Sequence, residues 1–552
     1  MSGWVWLVLA GGLGLPGLTL LVIGLRAWLL PLPHRRFLGF RPPLEALVRW
    51  RLGGYEHVYT EPDASLPDRC ERTHRVAVIG AGLAGMAAAT TLGERGVSVT
   101  LLDANTYLGG KIGAWPVSFA DGSEAMVEHG FHAFFGQYYN LNRFLRKLGV
   151  FQRFQQISEY AILEQDGTKT SFAGMESAPA LNLVDLALGG MYDWREIVRD
   201  PVASKRMEHL LRYDVDTTFT EWDDVTFAEF AERAKLSPAL AVTFTSFTRA
   251  FFADPEKMSM AELIKSFHFY YLSHDCGLDY VFPVDDYHVG VLEPWREHLE
   301  KHEVDIRLGT PVGRIERRDG GYLVDGDWYD EVILAAHVPG VKRILEASPD
   351  LAAGDPDLAR RMGVIRAGQR YAIVRLWLDR DVRADLPMFT VTDRVDILDS
   401  LTTYHRFETA SRAWVDQHGG SVLELHCYAV PDDLTDDEEV RRRMIADLFA
   451  HFPELEGAQI RREVVQVRDD FPAFHAGLWR HRPGVQTALP GVYLAGDWVK
   501  LPFPAMLMEA AFSSGVLAAN HVLAGLGVQQ ERVTQVPAKG LLAGVPGGEI
   551  PG

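Results

Sequence analysis

Three cysteines in 552 residues, Cys70, Cys276 and Cys427, are too few and too far apart for a disulfide framework, and no Cys-x-x-Cys pair offers a zinc site. They read as reduced thiols. Basic residues are in deficit: 55 Lys and Arg stand against 74 Asp and Glu, a formal charge of −19. Neutralising phosphates needs the opposite balance, so nucleic acid is excluded as a partner. There is no P-loop and no Ser-His-Asp order. His298-Leu-Glu-Lys-His302 spaces two histidines like a zinc helix but has Leu where the metalloprotease motif has Glu. It reads as an exposed helix face, and no metal is expected. Apolar residues are not scarce: 47% hydrophobic and 23% charged is ordinary globular usage, which rules out disorder, collagen and a polytopic transporter. The length suits two to four domains.

Charge is missing altogether from residues 2–25. As a helix, such a run reaches about 36 Å, enough for a hydrocarbon core of about 30 Å. Trp4, Trp6 and Trp28 flank it where interfacial aromatics belong. The first 53 residues hold six arginines (Arg26, Arg35, Arg36, Arg41, Arg49, Arg51) and one acid, Glu45. All six follow the apolar run, so the positive-inside rule predicts a membrane anchor over 1–33, in the cell membrane, with the catalytic body on the cytoplasmic side. Gly11, Gly12, Gly14, Pro16 and Gly17 weaken a straight helix and leave open a segment lying in the membrane plane. No basic residue precedes the run, unlike a signal peptide. Residues 34–73, with Pro42-Pro43 and Gly53-Gly54, read as a juxtamembrane linker, and the Gly- and Pro-rich 526–552 as a loose tail.

Between these ends the periodicity switches several times. Val76–Ile79 is a buried parallel strand, a helix pattern runs Met86–Glu94, and Val97–Leu102 is a second strand, which makes a βαβ unit. From 140 to 284 the pattern is helical and dense in aromatics. Two capping boxes, Thr226-Phe-Ala-Glu229 and Ser259-Met-Ala-Glu262, open amphipathic runs there. A second α/β stretch covers 285–345, with strands Val304–Leu308, Val312–Arg317 and Val332–Ala336. Strands follow at Tyr371–Leu378 and Ser421–Tyr428. The last piece is strand Val492–Ala495 and a helix Met506–Leu523.

Gly80-Ala-Gly82-Leu83-Ala84-Gly85 sits after the first strand and opens the helix, where free N–H groups and the helix dipole receive a pyrophosphate. Asp103 closes the second strand, placed to accept from ribose hydroxyls. It is followed by Leu108-Gly109-Gly110-Lys111, and far downstream stands Tyr493-Leu-Ala-Gly496-Asp497-Trp498. Together these segments resemble the FAD-dependent superfamily of amine oxidases and carotenoid desaturases. The resemblance implies FAD as cofactor, with Gly109, Gly110 and Lys111 against pyrophosphate and flavin. It places Val312 of Thr310-Pro-Val-Gly-Arg-Ile315 by the adenine, and Gly496 and Asp497 by the ribityl and pyrophosphate region. Lys111 departs from the usual Arg. The implied fold is α/β: a discontinuous Rossmann-type FAD-binding domain (74–139, 285–345 and 480–525), an α+β substrate domain (140–284 and 346–479), and the N-terminal membrane helix.

Within the superfamily, Glu128-His-Gly-Phe-His132-Ala-Phe-Phe135-Gly-Gln-Tyr138-Tyr-Asn140 is similar to plant-type carotene desaturases. Tyr371–Arg380, Gly419–His426 and Leu501–Glu509 resemble the bacterial carotenoid β-ring desaturase/methyltransferases, of the isorenieratene-synthase kind. The implied activity is desaturation of a β-ionone ring with methyl migration to an aromatic end group. A linear carotene desaturase or isomerase, or another isoprenoid flavin oxidoreductase, is the alternative. The implied partners are membrane lipid, a hydrophobic polyene and an electron acceptor such as a quinone. Removing hydride and proton from a ring requires an acid or base in an apolar site, and Glu128, His132, Asp286 and Glu509 are the candidates.

Overall fold

The computed structural model describes residues 41–545, except 158, 164, 166, 168, 172–176, 184–205, 207, 237–244 and 246–247. The membrane segment expected over 1–33 lies outside the described residues. Among the described residues no helix is long and apolar enough to cross a membrane.

The βαβ unit builds the centre of a five-stranded parallel sheet. Its spatial order is Asp305–Arg307, Ser98–Leu102, Arg75–Ile79, Glu331–Leu334 and Val492–Leu494. Three distant segments therefore supply one sheet. The strand order reverses between Arg75–Ile79 and Glu331–Leu334, where an open α/β sheet leaves a crevice for a ligand. Val76, Ala77 and Val78 are wholly buried, as a strand covered on both faces demands. The fingerprint helix Leu83–Glu94 packs on this strand because Gly85 has no side chain: a Cβ there would lie 1.7 Å from the Gly80 carbonyl oxygen. The C-terminal helix Leu507–Leu526 crosses the fingerprint helix and covers it. The strand predicted near Val312 begins only at Ile315 and belongs to a separate three-stranded meander.

A seven-stranded mixed sheet forms the second body of the molecule. Tyr371–Leu378 runs through it between Ser421–Cys427 and Ile460–Arg468, and all eight of its residues are buried. The helical expectation for 140–284 needs correction. Tyr160–Leu163 and Lys169–Ser171 extend this sheet, and Tyr280–Pro283 centres a three-stranded one. Their alternations are too short to show against the aromatic background. Thr226 forms the full capping box with Glu229. Ser259 caps its helix, but Glu262 turns instead to Lys265 at 2.6 Å.

The flanking segments are also more ordered than their composition suggests. Arg41–Leu52 is a helix with Val48 and Leu52 buried, not a linker. His57–Thr60 pairs with Val533–Gln535, which pins the presumed loose tail. Buried Val533 and Val536 and the hydrogen bonds of Thr534 hold it there. Pairing across more than 470 residues leaves no local signature.

Candidate active site

A cavity of about 1100 Å³ opens at the sheet's switch point. One wall is made by Gly80, Gly82, Leu83 and Ala84 from the strand–helix turn and by Asp103 from the neighbouring strand end. Gly109, Gly110 and Lys111, then Val312, and finally Gly496 and Asp497 complete it. Gly85 stands directly behind and lets the helix seat. Gly109 has φ +100° and Gly110 φ +56°, a left-handed pair that turns the chain back on the fingerprint. The Gly109 N–H donates to the Ala81 carbonyl at 2.8 Å. A Cβ on Gly110 would come within 3.0 Å of the Gly82 Cα. Bare backbone thus faces the cavity from two sides, beside a helix N-terminus whose first N–H groups have no acceptor within the helix. Asp103 accepts from the Ala81 N–H at 2.6 Å and from the Asn105 N–H at 2.7 Å, which fixes its carboxylate at the rim. Lys111 is ion-paired to Asp497, and its ammonium lies 4.5 Å from the centre of the Phe471 ring.

The same cavity continues into an aromatic chamber lined by Phe131, Phe135, Tyr138, Tyr270, Tyr280 and Phe389, among others. Two non-glycine residues on its walls, Phe252 at φ +58° and Leu507 at φ +44°, hold left-handed backbone. Such strain costs of order 1–3 kcal/mol each and gathers at functional walls.

Of the four acid–base candidates only His132 lines this cavity. Its Nδ1 lies 2.8 Å from the Gly130 carbonyl, which can only accept, so Nδ1 carries the proton and Nε2 keeps a lone pair. Burial, helped by nearby His129, lowers its pKa to about 4, so the ring is neutral. Its backbone N–H donates to the Tyr287 hydroxyl at 2.7 Å. Glu128 is off the cavity wall. It shares one guanidinium with Glu424: Arg375 Nη2 lies 2.5 Å from Glu128 and 2.6 Å from Glu424. Burial, with Glu408 and Glu424 nearby, pushes Glu128 up to about 7 despite Arg375. Burial works against Glu424 too, but Arg375 and His426 outweigh it and hold Glu424 near 2. Glu424 in turn accepts from the Phe131 N–H at 2.8 Å, next to His132.

Glu509 is also off the cavity, unlike its neighbour Met508. Its carboxylate accepts from Asn140 N at 2.9 Å, Asn140 Nδ2 at 2.7 Å and Leu141 N at 3.2 Å, so it ties the C-terminal helix to the start of the helix Tyr139–Lys147. Asp286 accepts from the Val289 N–H at 3.1 Å and caps a surface turn away from the cavity. For Asp286 and Glu509 the sequence expectation is corrected: both stand off the cavity, Glu509 held by two backbone N–H groups and the Asn140 amide, and Asp286 by one backbone N–H at a single oxygen.

A family model, flavin containing amine oxidoreductase, matches residues 83–523. This chain belongs to that family. As a flavin-containing amine oxidoreductase it is an FAD-dependent oxidoreductase. Two curated relatives extend the likeness. The carotenoid phi-ring synthase of Streptomyces griseus is 37% identical over 476 residues, covering 84% of this chain and 90% of that protein. The carotenoid phi-ring synthase of Chlorobaculum tepidum is 26% identical over 601 residues, covering 87% and 93%. Among solved structures a putrescine oxidase variant shares the fold, with a TM-score of 0.59 at 16% identity over 82% of this chain and all of that one. The cradle suits the flavin-containing amine oxidoreductase cofactor: side-chain-free backbone approaches from two loops at a helix N-terminus, with Asp103 and Lys111 at the edges.

One further cluster has no signature in the sequence. Asp470 lines the cavity beside Phe471. The Tyr371 hydroxyl donates to it at 2.8 Å, and His129 Nε2 lies 3.1 Å from it and 2.6 Å from that hydroxyl. Burial opposes its charge, yet His129 and Lys111 hold its carboxyl well below the usual range. Asp469-Asp470 follows a strand with no motif around it, so nothing in the sequence could single it out.

Proposed function

We propose that this chain oxidises carotenoids, desaturating a β-ionone ring with methyl migration to give an aromatic end group. One observation carries the reading: the glycine cradle and the aromatic chamber are parts of one continuous cavity, with neutral His132 on its wall. The names of the relatives from Streptomyces griseus and Chlorobaculum tepidum support the substrate class. FAD would be held by Gly80, Gly82, Leu83 and Ala84 at the helix N-terminus, Asp103 at the ribose, Gly109, Gly110 and Lys111 across the pyrophosphate, Val312 by the adenine, and Gly496 and Asp497 at the ribityl end. When bound, FAD supplies a two-electron oxidant that takes a hydride equivalent from an activated C–H.

The chain's own residues do the rest. The aromatic walls exclude water and hold the ring. His132 Nε2 is the lone pair available to take the proton lost in each desaturation. A methyl shift needs cationic character beside the quaternary carbon, and the faces of Phe131, Phe135 and Phe389 are negative surfaces that lower its energy. Two such oxidations per ring, with every carbon kept, give a trimethylphenyl end. The polyene is drawn from a bilayer on which the charge-free segment 2–25 seats the enzyme, and a lipid-soluble acceptor such as a quinone reoxidises it. Expression in a host that makes β-carotene, with mass and absorbance analysis of the pigment, tests the proposal. An aromatic-ringed product with unchanged carbon count is expected. A pigment altered only in its polyene chain would assign the enzyme to linear carotenes instead.

A further inference from the structure

The chamber is not uniformly apolar. Three tyrosine rings pack on Phe135, with centroids at 5.6 Å for Tyr138, 4.8 Å for Tyr270 and 5.3 Å for Tyr280, and all three line the cavity. None is more than 6% exposed. The hydroxyls of Tyr138 and Tyr270 are 3.0 Å apart, so one donates to the other and the acceptor's own proton is left over. The Tyr280 hydroxyl has no hydrogen-bond partner among the described residues. Other buried tyrosines nearby place their protons on acceptors: Tyr371 donates to Asp470 at 2.8 Å, and Tyr287 donates to the His132 carbonyl at 3.4 Å while accepting from the His132 N–H at 2.7 Å.

A hydroxyl that faces a cavity with no protein acceptor offers its proton to whatever fills that cavity, and a chamber meant only for hydrocarbon has phenylalanine available, as at Phe131 and Phe389. The geometry points to a ligand with an acceptor oxygen on an otherwise hydrocarbon isoprenoid. That oxygen is either a hydroxyl or keto group on the carotenoid ring or the carbonyl of a quinone. Such an oxygen would accept from an unmatched donor of this wall, whereas an all-hydrocarbon ring leaves both unpaired. A site with buried donors rejects a ligand that cannot pair them more strongly than a greasy pocket rejects an extra group. This inference rests on the carotenoid reading above and deepens it.

The test uses the flavin-loaded full chain in detergent, with β-carotene, its ring-hydroxylated form zeaxanthin, its ring-ketone form canthaxanthin and a short-chain ubiquinone as probes. Dissociation constants are read from quenching of tryptophan fluorescence, and flavin absorbance reports folding. For a ring-oxygen ligand, zeaxanthin or canthaxanthin binds at least about tenfold more tightly than β-carotene. The double variant Tyr270→Phe/Tyr280→Phe then brings that ratio close to one. For a quinone, the carotenoid ratio is near one from the start, and the double variant weakens ubiquinone about tenfold. Should the double variant lose its flavin, Tyr280→Phe, whose hydroxyl has no bond to lose, is read the same way. Variants that shift neither ratio overturn the inference. If β-carotene still reduces the flavin anaerobically in that case, the carotenoid reading stands without it. If no polyene binds or reduces the flavin, the reading and the inference fall together.

Discussion

Replacing Glu128 by Gln should stabilise the protein at alkaline pH and leave it unchanged in acid. Glu128 and Glu424 share the single guanidinium of Arg375 in a site closed to solvent. Glu424 has the better share, with two hydrogen bonds from Arg375 at 2.9 and 2.6 Å and a backbone donor besides. Glu128 is left to titrate at about 7, against 4.5 as a free side chain. Its folded pKa is raised, so the native state binds the extra proton between those values, and stability falls as pH rises through that window. The full loss is about 3 kcal/mol, a sizeable part of the roughly 5–15 kcal/mol available to a folded protein. Gln cannot ionise and imitates the protonated acid. Urea unfolding of the flavin-loaded chain at pH 5 and pH 8 should therefore show wild type losing about 2.5 kcal/mol more than Glu128→Gln between the two. Glu424→Gln should behave in the opposite sense. The folded pKa of Glu424 is depressed, so its contribution is present above about 4.5 and lost as pH falls towards 2; the variant is destabilised at neutral pH. Equal pH dependence in wild type and Glu128→Gln, or a Glu128→Gln variant weaker than wild type at pH 8, would refute the shared-cation argument.

Other outcomes follow from the cradle and the chamber. Gly85→Ala should yield protein without flavin absorbance, because its Cβ would sit 1.7 Å from the Gly80 carbonyl. Lys111→Met removes the ion pair with Asp497, so flavin should dissociate more readily on dilution, with the effect growing at low salt, where electrostatic attraction is least screened. His132→Gln should keep its flavin but lose roughly a hundredfold or more in turnover of a β-ring carotenoid. Asp286→Asn, which touches only a surface turn, should turn over as wild type does. Normal rates in His132→Gln would remove that residue from the mechanism.

What could be read from the sequence was local. The fingerprint turn, the βαβ unit and the strands Tyr371–Leu378 and Ser421–Cys427 carry their periodicity and glycines within a dozen residues. The cradle residues were legible because each sits in a motif whose chemistry needs bare backbone or a fixed charge. The acid–base group was not. Glu128, His132 and Glu509 are alike in sequence as polar residues amid apolar ones, but their surroundings come from afar. Glu509 meets Asn140 across 369 residues and is taken up by a helix start. Glu128 meets Arg375 in a different sheet. Asp470 acquires its place on the cavity wall only when His129 and Tyr371 arrive from elsewhere in the chain. The unmatched hydroxyls around Phe135 likewise depend on which tyrosines find a partner, and no spacing records that.

The most direct measurement is anaerobic mixing of the purified, flavin-loaded chain with a β-ring carotenoid in detergent, with absorbance followed and the pigment then weighed. Bleaching of the flavin by the polyene is expected, with a product whose rings have lost hydrogen while every carbon stays. A flavin that remains oxidised in the presence of bound carotenoid would contradict it.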